Sequence, residues 1–389
     1  MRDTYVNKVV ISGVGESEIG RVKDKSGLDL CSDAALNAIA NAGLKVKDID
    51  GLLTSYCSTE PFFVFYGALA EHLGLELDYG VTMTAGGGTA GMMINAAAMA
   101  IASGVAKNIL IVAGENRASA MGSAAATQML SAFSHPLYEG DGISVPAFYG
   151  MVAKRYLHEN GLDRSHLAPI AIQSRANAAR TPNAHKKDLI TIEDVLNSRP
   201  IVEPLHLLDC CLISDGAGAV IVSKREMEND LIEPPVYLSG IGEKFTHEHL
   251  TVAPDIVRSG AHKAAQKAFY MAGITPSQID FAELYDCFTV TPAILAEELG
   301  FAEKGQGWTM WSDGKAGIDG KFPINTHGSM LSHCHAGAAG GLLSVIECIR
   351  QVRGTQGDRQ ISKHDIGLAH TEGGIMSNHT TMIFTASPL

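Results

Sequence analysis

Residues 10–16 read VISGVGE, and the pattern returns as YLSGIGE at 237–243. The segments downstream of the two copies are also alike. LDLCSDAALNAIANAGL (28–44) and IVRSGAHKAAQKAFYMAGI (256–274) carry apolar or small residues at i, i+3, i+4 and i+7, and both end at an Ala-Gly pair, a helix stop. A short polar turn and a strand come next, VKDIDGLLTS (46–55) and PSQIDFAELYD (276–286). The offset between the two Ala-Gly pairs equals that between the two Ile-Asp pairs. Each copy goes on to a Gly-rich turn, a helix of small or apolar residues and a strand. These are GGGTAG, MMINAAAMAIASG and NILIVAGEN in the first, and HAGAAGG, LLSVIECIRQVRG and IGLAHTEGG in the second. Each then closes on one more strand, AGAVIVSK (217–224) and TTMIFTAS (380–387). Strands alternating with amphipathic helices predict an α/β protein with parallel-rich sheets covered by helices. The duplication predicts two similar halves, 1–230 and 231–389. Residues 116–210 form a long excursion of the first half, with helices of its own such as VPAFYGMVAKRYLHENG.

Bulk composition fits this picture. The chain has 389 residues, 46% hydrophobic and 19% charged, enough for a large core without disulfide staples. A net charge of -12 argues against nucleic acid and anionic membrane surfaces as partners. No apolar run reaches the eighteen uncharged residues of a spanning helix, and no secretory signal is visible. Seven cysteines, odd in number and without C-x-x-C spacing, predict reduced thiols in a cytoplasmic protein. Fifteen histidines without an H-E-x-x-H or paired C-x-x-C pattern predict no metal site.

The turn MTAGGGTAG (83–91) carries the chemistry and admits three readings. Gly86-Gly87-Gly88-Thr89-Ala90-Gly91 satisfies G-x-G-x-x-G, the dinucleotide fingerprint, and Glu115 follows the next strand as a ribose-binding acid would. Dinucleotide loops, however, follow the first strand of their domain, and this one follows earlier βα units. The glycines could be a tight turn and nothing more. They could also be the tip of a buried helix, whose N–H donors and positive dipole end suit a carbonyl oxygen acquiring negative charge.

With DGAGAVIVS (215–223), ELYDCFTVTP (283–292) and NTHGSMLSHCHAGAAGG (325–341) added, the whole chain resembles the thiolase superfamily. It is most similar to the branch of sterol-carrier and lipid-transfer proteins that includes steroid side-chain aldolases. The resemblance implies two βαβαβ halves in a five-layer αβαβα core. In thiolases a cysteine nucleophile opens the central helix, about fourteen residues before its I-x-x-G end. Counting back from Ile101 in IASG lands on Gly87, so the nucleophile is absent and no acyl-enzyme can form there. The G-H-P histidine of the family matches His335, with Ala336 for the proline, and the acid/base cysteine matches His370. The N-E-A-F segment matches Tyr285-Asp286-Cys287-Phe288, where the aldolases carry a catalytic tyrosine. Their second tyrosine falls on Cys334.

The resemblance implies an enzyme that makes or breaks a C–C bond beside an acyl-CoA thioester, by retro-aldol cleavage through an enolate. Backbone N–H groups at Gly87, Gly88 and Gly373 would hold the enolate oxygen, His335 or Tyr285 would move the hydroxyl proton, and His370 would protonate the carbon. Coenzyme A would enter only as part of the substrate, with no bound cofactor. The alternatives are acyl transfer by Cys334 or another thiol, and a non-catalytic acyl-CoA- or lipid-binding subunit. Cys287 is a further candidate. Cys210 and Cys211 read as structural, and Trp308 and Trp311 as packing or pocket wall. The family implies a homodimer formed through the first half and a small OB-fold, zinc-ribbon partner of the DUF35 type. SAMGSAAATQMLSAF (119–133), in the excursion, suggests an apolar acyl group.

Overall fold

The computed structural model describes residues 4–60, 62–120 and 144–389. The first copy of the repeat runs β1 (Val9–Glu16), α1 (Gly27–Asn41), β2 (Gly51–Ser55), α2 (Phe65–Leu73), β3 (Tyr79–Met83), α3 (Thr89–Ala102) and β4 (Asn108–Asn116). The excursion supplies α4 (Val145–Asn160), α5 (Ala168–Ala179), α6 (Ile192–Asn197) and a small hairpin, β5 (Pro200–Val202) with β6 (Leu205–His206). Most of SAMGSAAATQMLSAF lies outside the described residues. Then β7 (Asp215–Lys224) closes the first half. The second copy runs β8 (Tyr237–Phe245), α7 (Ala261–Ala272), β9 (Phe281–Leu284), α8 (Val290–Glu298), α9 (Ala339–Arg353), β10 (Ile366–Gly373) and β11 (Asn378–Thr385).

The two main sheets have the order β1-β7-β4-β2-β3 and β8-β11-β10-β9. Laid one on the other they match strand for strand, except that β3 has no full counterpart. Ile324 alone holds its place, bridging parallel to Ala282 in β9. Both sheets are mixed rather than parallel-rich. β7 runs antiparallel to β1 and β4, and β11 antiparallel to β8 and β10. The reason is the connection: β11 follows β10 after only residues 374–377, too short for the helical crossover that a parallel neighbour needs.

Five layers arise from the period-2 alternation of strand residues. In the first sheet, Leu52, Leu110, Val112 and Ile221 face α1 and α2, where Leu30, Ala34, Ala38 and Leu69 meet them. Their neighbours Leu53, Ile109, Ile111 and Val220 face inward, onto Met93 and Ile94 of α3 and Leu342 and Ile346 of α9. Ala369, Met382 and Phe384 of the second sheet close on these two helices from the other side. Leu368 and Ile383 face outward, to Ala265 and Phe269 of α7 and Ile294 of α8. The stack is helices, sheet, α3 with α9, sheet, helices, the arrangement that the resemblance implies.

The glycines of the repeated motif have a common cause. A Cβ on Gly13 or Gly15 would lie 2.4 or 2.3 Å from the Ala38 or Ala34 carbonyl oxygen of α1. On Gly240 or Gly242 it would lie 2.3 or 2.2 Å from the Ala268 or Ala264 carbonyl oxygen of α7. The first strand of each half thus touches helix backbone, and only glycine permits that approach. The helix after GGGTAG is buried on most sides, but Asn95 and Ala96 are half-buried and Met99 is exposed, so its outer face stays partly open.

Candidate active site

Strands β2, β4, β9 and β10 are parallel within their sheets, and α3 and α9 begin near where they end. Open α/β sheets bind ligands at such carboxyl ends. Gly86 takes φ 59°, which turns the chain from β3 into α3, and no side chain caps that helix. A Cβ on Gly87 would lie 2.2 Å from Cε2 and 2.3 Å from Oη of Tyr285. On Gly88 it would lie 3.1 Å from the Gly373 nitrogen, and on Gly373 2.9 Å from the Gly88 nitrogen and 1.7 Å from the Ala85 oxygen. On Gly341, in the first turn of α9, it would lie 2.5 Å from the Gly87 oxygen. The structure therefore brings together Gly87, Gly88, Gly373 and Tyr285. Three glycine-rich segments interlock at backbone contact, and the phenol fills the volume that a side chain at 87 would need.

Tyr285 is buried, and burial beside Cys287 and Glu372 pushes its hydroxyl well above the usual range. It is therefore a phenol that donates, not a phenolate base. Glu372, immediately before Gly373, is fully buried; its Oε1 accepts from Tyr149 Oη at 2.5 Å and from the Met376 N–H at 2.9 Å. Tyr149, on α4, stacks on Phe288 with centroids 4.5 Å apart. Burial pushes the Glu372 carboxyl up to about 7, against the two hydrogen bonds that lower it. Asp286 is likewise pushed up to about 7 by burial and is turned to the Met330 N–H at 2.8 Å.

His335 lies on the other flank. Its Nδ1 is 3.3 Å from both Cys211 Sγ and the Leu212 carbonyl oxygen. Burial, with the Arg117 guanidinium, holds the imidazole down to about 4, so it is neutral at pH 7. With Nδ1–H donating to Leu212, Nε2 is the acceptor. Arg117 is fixed by Glu115, Nε to Oε2 at 2.6 Å, and Glu115 also receives the Ser58 hydroxyl. Glu115 is thereby committed within the protein, contrary to the ribose-binding role in the dinucleotide reading.

The other expected residues lie differently. His370 sits on the face of β10 turned away from α3. Its Nδ1 meets Thr381 Oγ1 at 2.9 Å and its Nε2 meets His379 Nδ1 at 3.1 Å, so its hydrogen bonds go to the sheet rather than to Tyr285 or His335. Cys334 is buried in the central core against β7, 3.9 Å from the Asp215 carbonyl oxygen, and burial pushes its thiol up. Burial also raises Cys31, Cys57, Cys210, Cys211, Cys287 and Cys348, so each of the seven thiols is held protonated. Trp311 is buried, and the Trp308 ring meets His166 edge-on at 4.8 Å. Glu372 and Tyr149 are the residues that sequence reasoning missed; the only signal in the sequence is the Glu before the Gly pair in HTEGG.

A polar cleft of about 670 Å³ elsewhere, lined by Glu16, Arg180, Asn183, Arg350 and Arg359, shares no residue with this cluster. Its arginines are paired, Arg350 with Glu16, Arg359 with Glu347 and Arg180 with Asp319. Among the described residues, no group of three or more His, Cys, Asp or Glu side chains could hold a metal ion, and no helix is long and apolar enough to cross a membrane.

Comparison with known proteins agrees with this architecture. The family "Thiolase, N-terminal domain" matches residues 9–226, and "Thiolase C-terminal domain-like" matches residues 242–386. The chain belongs to the thiolase family. It is 33% identical to an acetyl-CoA acetyltransferase of Methanothermobacter thermautotrophicus, over 97% of this chain and 99% of that protein. It is 34% identical to a steroid side-chain-cleaving aldolase of Thermomonospora curvata, over 89% of this chain and 90% of that one. The solved structure of the Ltp2-ChsH2(DUF35) aldolase superposes with a TM-score of 0.82 at 31% identity, covering 97% of each chain.

Proposed function

We propose that the protein cleaves the C–C bond beside the thioester of a β-hydroxyacyl-CoA, in a retro-aldol reaction without an acyl-enzyme. One observation carries this reading: at the tip of α3 the Tyr285 phenol fills the volume of a side chain at Gly87, so no nucleophile is present there. The protonated state of all seven thiols supports it, because the thiolate is the attacking species.

The thioester oxygen would lie against the backbone N–H groups of Gly87, Gly88 and Gly373. Neutral His335 would take the β-hydroxyl proton, and the C–C bond would break to a carbonyl compound and an enolate. Backbone donors in a dry site stabilise such an oxygen by roughly 3–4 kcal/mol each. Tyr285 would donate a hydrogen bond in the same space. Protonation of the enolate carbon completes the acyl-CoA product.

Incubating the protein with β-hydroxyacyl-CoA esters tests this, with and without a DUF35-type partner. The expected products are a carbonyl compound and a shorter acyl-CoA, with no acyl adduct in the intact mass and no loss of rate on iodoacetamide treatment. The 3.3 Å contact between Cys211 and His335 favours the second reading, acyl transfer by a thiol, and a trapped acyl group on a cysteine would establish it instead. We further place the protein in a reducing cytoplasm, as a homodimer that works with a DUF35-type subunit. Seven unbridged cysteines support the reducing compartment, and the likeness to the Ltp2-ChsH2(DUF35) aldolase supports the DUF35-type subunit.

A further inference from the structure

We infer that Glu372 is the residue that carries the proton to and from the carbon beside the thioester, with Tyr149 positioning it. The inference rests on the retro-aldol reading and names its unassigned acid–base group. Glu372 shares the β10 face of His370 but lies at the strand's end, where it adjoins Gly373, and its carboxyl acts electrostatically on the Tyr285 phenol that fills the volume at Gly87. Tyr149 Oη and the Met376 N–H hold Oε1, whereas Oε2 is buried and has no hydrogen-bond partner in the described structure. A buried, unpaired carboxylate oxygen is costly, and an incoming C–H acid or a proton relieves that cost.

The groups facing Glu372 are Tyr149 from α4 and Tyr285 and Cys287 from the segment after β9, while Asp286 and Cys211 face Tyr285. His379 and His370 face it from its own sheet. None of them competes for the role. Tyr285 and the thiols are held protonated, and His370 is bonded to Thr381 and His379. Asp286 is turned to Met330. A carboxyl near 7 exists in both forms at neutral pH, as a group that gives and regains a proton must.

The step balances. When the C–C bond breaks, the electron pair enters the enolate, and His335 holds the hydroxyl proton. Glu372 then gives its proton to the enolate carbon, the C–H bond forms and the thioester carbonyl is restored. Exchange with solvent after product release returns a proton to Glu372 and removes one from His335.

E372Q keeps the shape and the Tyr149 hydrogen bond, and its fold is checked by circular dichroism. Two readouts test the role: deuterium entry at the α-carbon of a saturated acyl-CoA in D2O, and the pH profile of cleavage. Wild type should exchange with a limb near pH 7, and E372Q should lose about 10²–10⁴-fold in both reactions. Y149F, which removes the hydrogen bond that lowers the Glu372 carboxyl, should shift the limb to higher pH. Wild type that cleaves, beside E372Q that still exchanges or Y149F with an unmoved limb, overturns this inference alone. Wild type that neither cleaves nor exchanges overturns the retro-aldol reading with it.

Discussion

At Gly87 the absent side chain and the Tyr285 ring compete for one volume, which makes the two positions a coupled pair. Gly87→Ala should destabilise by about 1–3 kcal/mol through overpacking, and Tyr285→Ala by a comparable amount through the cavity it leaves. In the double variant the small residue occupies part of the vacated space. The two losses should therefore sum to more than the measured one by about 1 kcal/mol or more, read by urea denaturation; strict additivity would place the ring elsewhere. The same clash predicts that Gly87→Cys yields no thiolase, because the new thiol displaces the phenol. Titration gives a second handle. The Glu372 carboxyl is raised from 4.5 to about 7 in the folded protein, so its contribution is fully present below pH 4.5 and lost as pH rises through 7. His335 and His379 are lowered from 6.5 to about 4, so theirs is present above pH 6.5 and lost as pH falls to 4. Glu372 thus offsets part of the acid loss, and E372Q should lose melting temperature more steeply than wild type between pH 7 and 4.5. The family resemblance points to Gly87, Gly373, Tyr285 and His335, and those positions are legible because they are tied to turns and strand ends. The resemblance assigns His370 and is silent on Glu372, and only the hydrogen bonds to β11 reveal that Thr381 and His379 occupy the histidine. Tyr149 was illegible in the sequence, since it lies 223 residues from its partner.

The repeated strand–helix unit is where sequence and structure agree most closely, because its cause is local. Gly13 and Gly15 in β1, and Gly240 and Gly242 in β8, bring strand and helix backbones into contact. Gly15→Ala and Gly242→Ala should each cost several kcal/mol, because the obstructing atom is a carbonyl oxygen of a helix that cannot retreat without opening the core. Loss of soluble expression is the expected outcome, and a guanidinium midpoint equal to that of wild type would show that the backbones can part freely. The two units differ in how their helices begin. Ser26 caps α1 in a reciprocal box with Asp29, whereas Gly260 precedes α7 in the left-handed conformation without a side-chain cap. Ser26→Ala should therefore cost about 1 kcal/mol in urea unfolding. The closing strands were legible as strands but not in direction. Direction depends on the length of the connection and on which gap between strands is vacant, and neither is written in the strand's own residues.

Over the whole molecule the halves diverge most at one edge. The first sheet ends in β3, all five of whose residues are half-buried, while the second has only the Ile324 bridge at the corresponding place. An unprotected edge strand offers unpaired N–H and C=O groups to another chain. Around it stand Phe62 and Val64, both exposed, and Phe63, fully exposed, just ahead of α2, which packs on β3. An apolar tip beside an open edge suits a twofold contact in which β3 meets β3 of a second copy, the isologous arrangement commonest among homodimers. The expected state of the wild type is therefore a dimer across the micromolar range. Phe63→Asp, with Phe62→Asp added, would place charges in that contact while leaving α2 anchored by the buried Phe65 and Leu69. Sedimentation velocity should then show a shift to monomer with an unaltered far-ultraviolet spectrum. A variant that remains dimeric at low micromolar concentration would move the interface to another surface and leave the β3 edge without a partner.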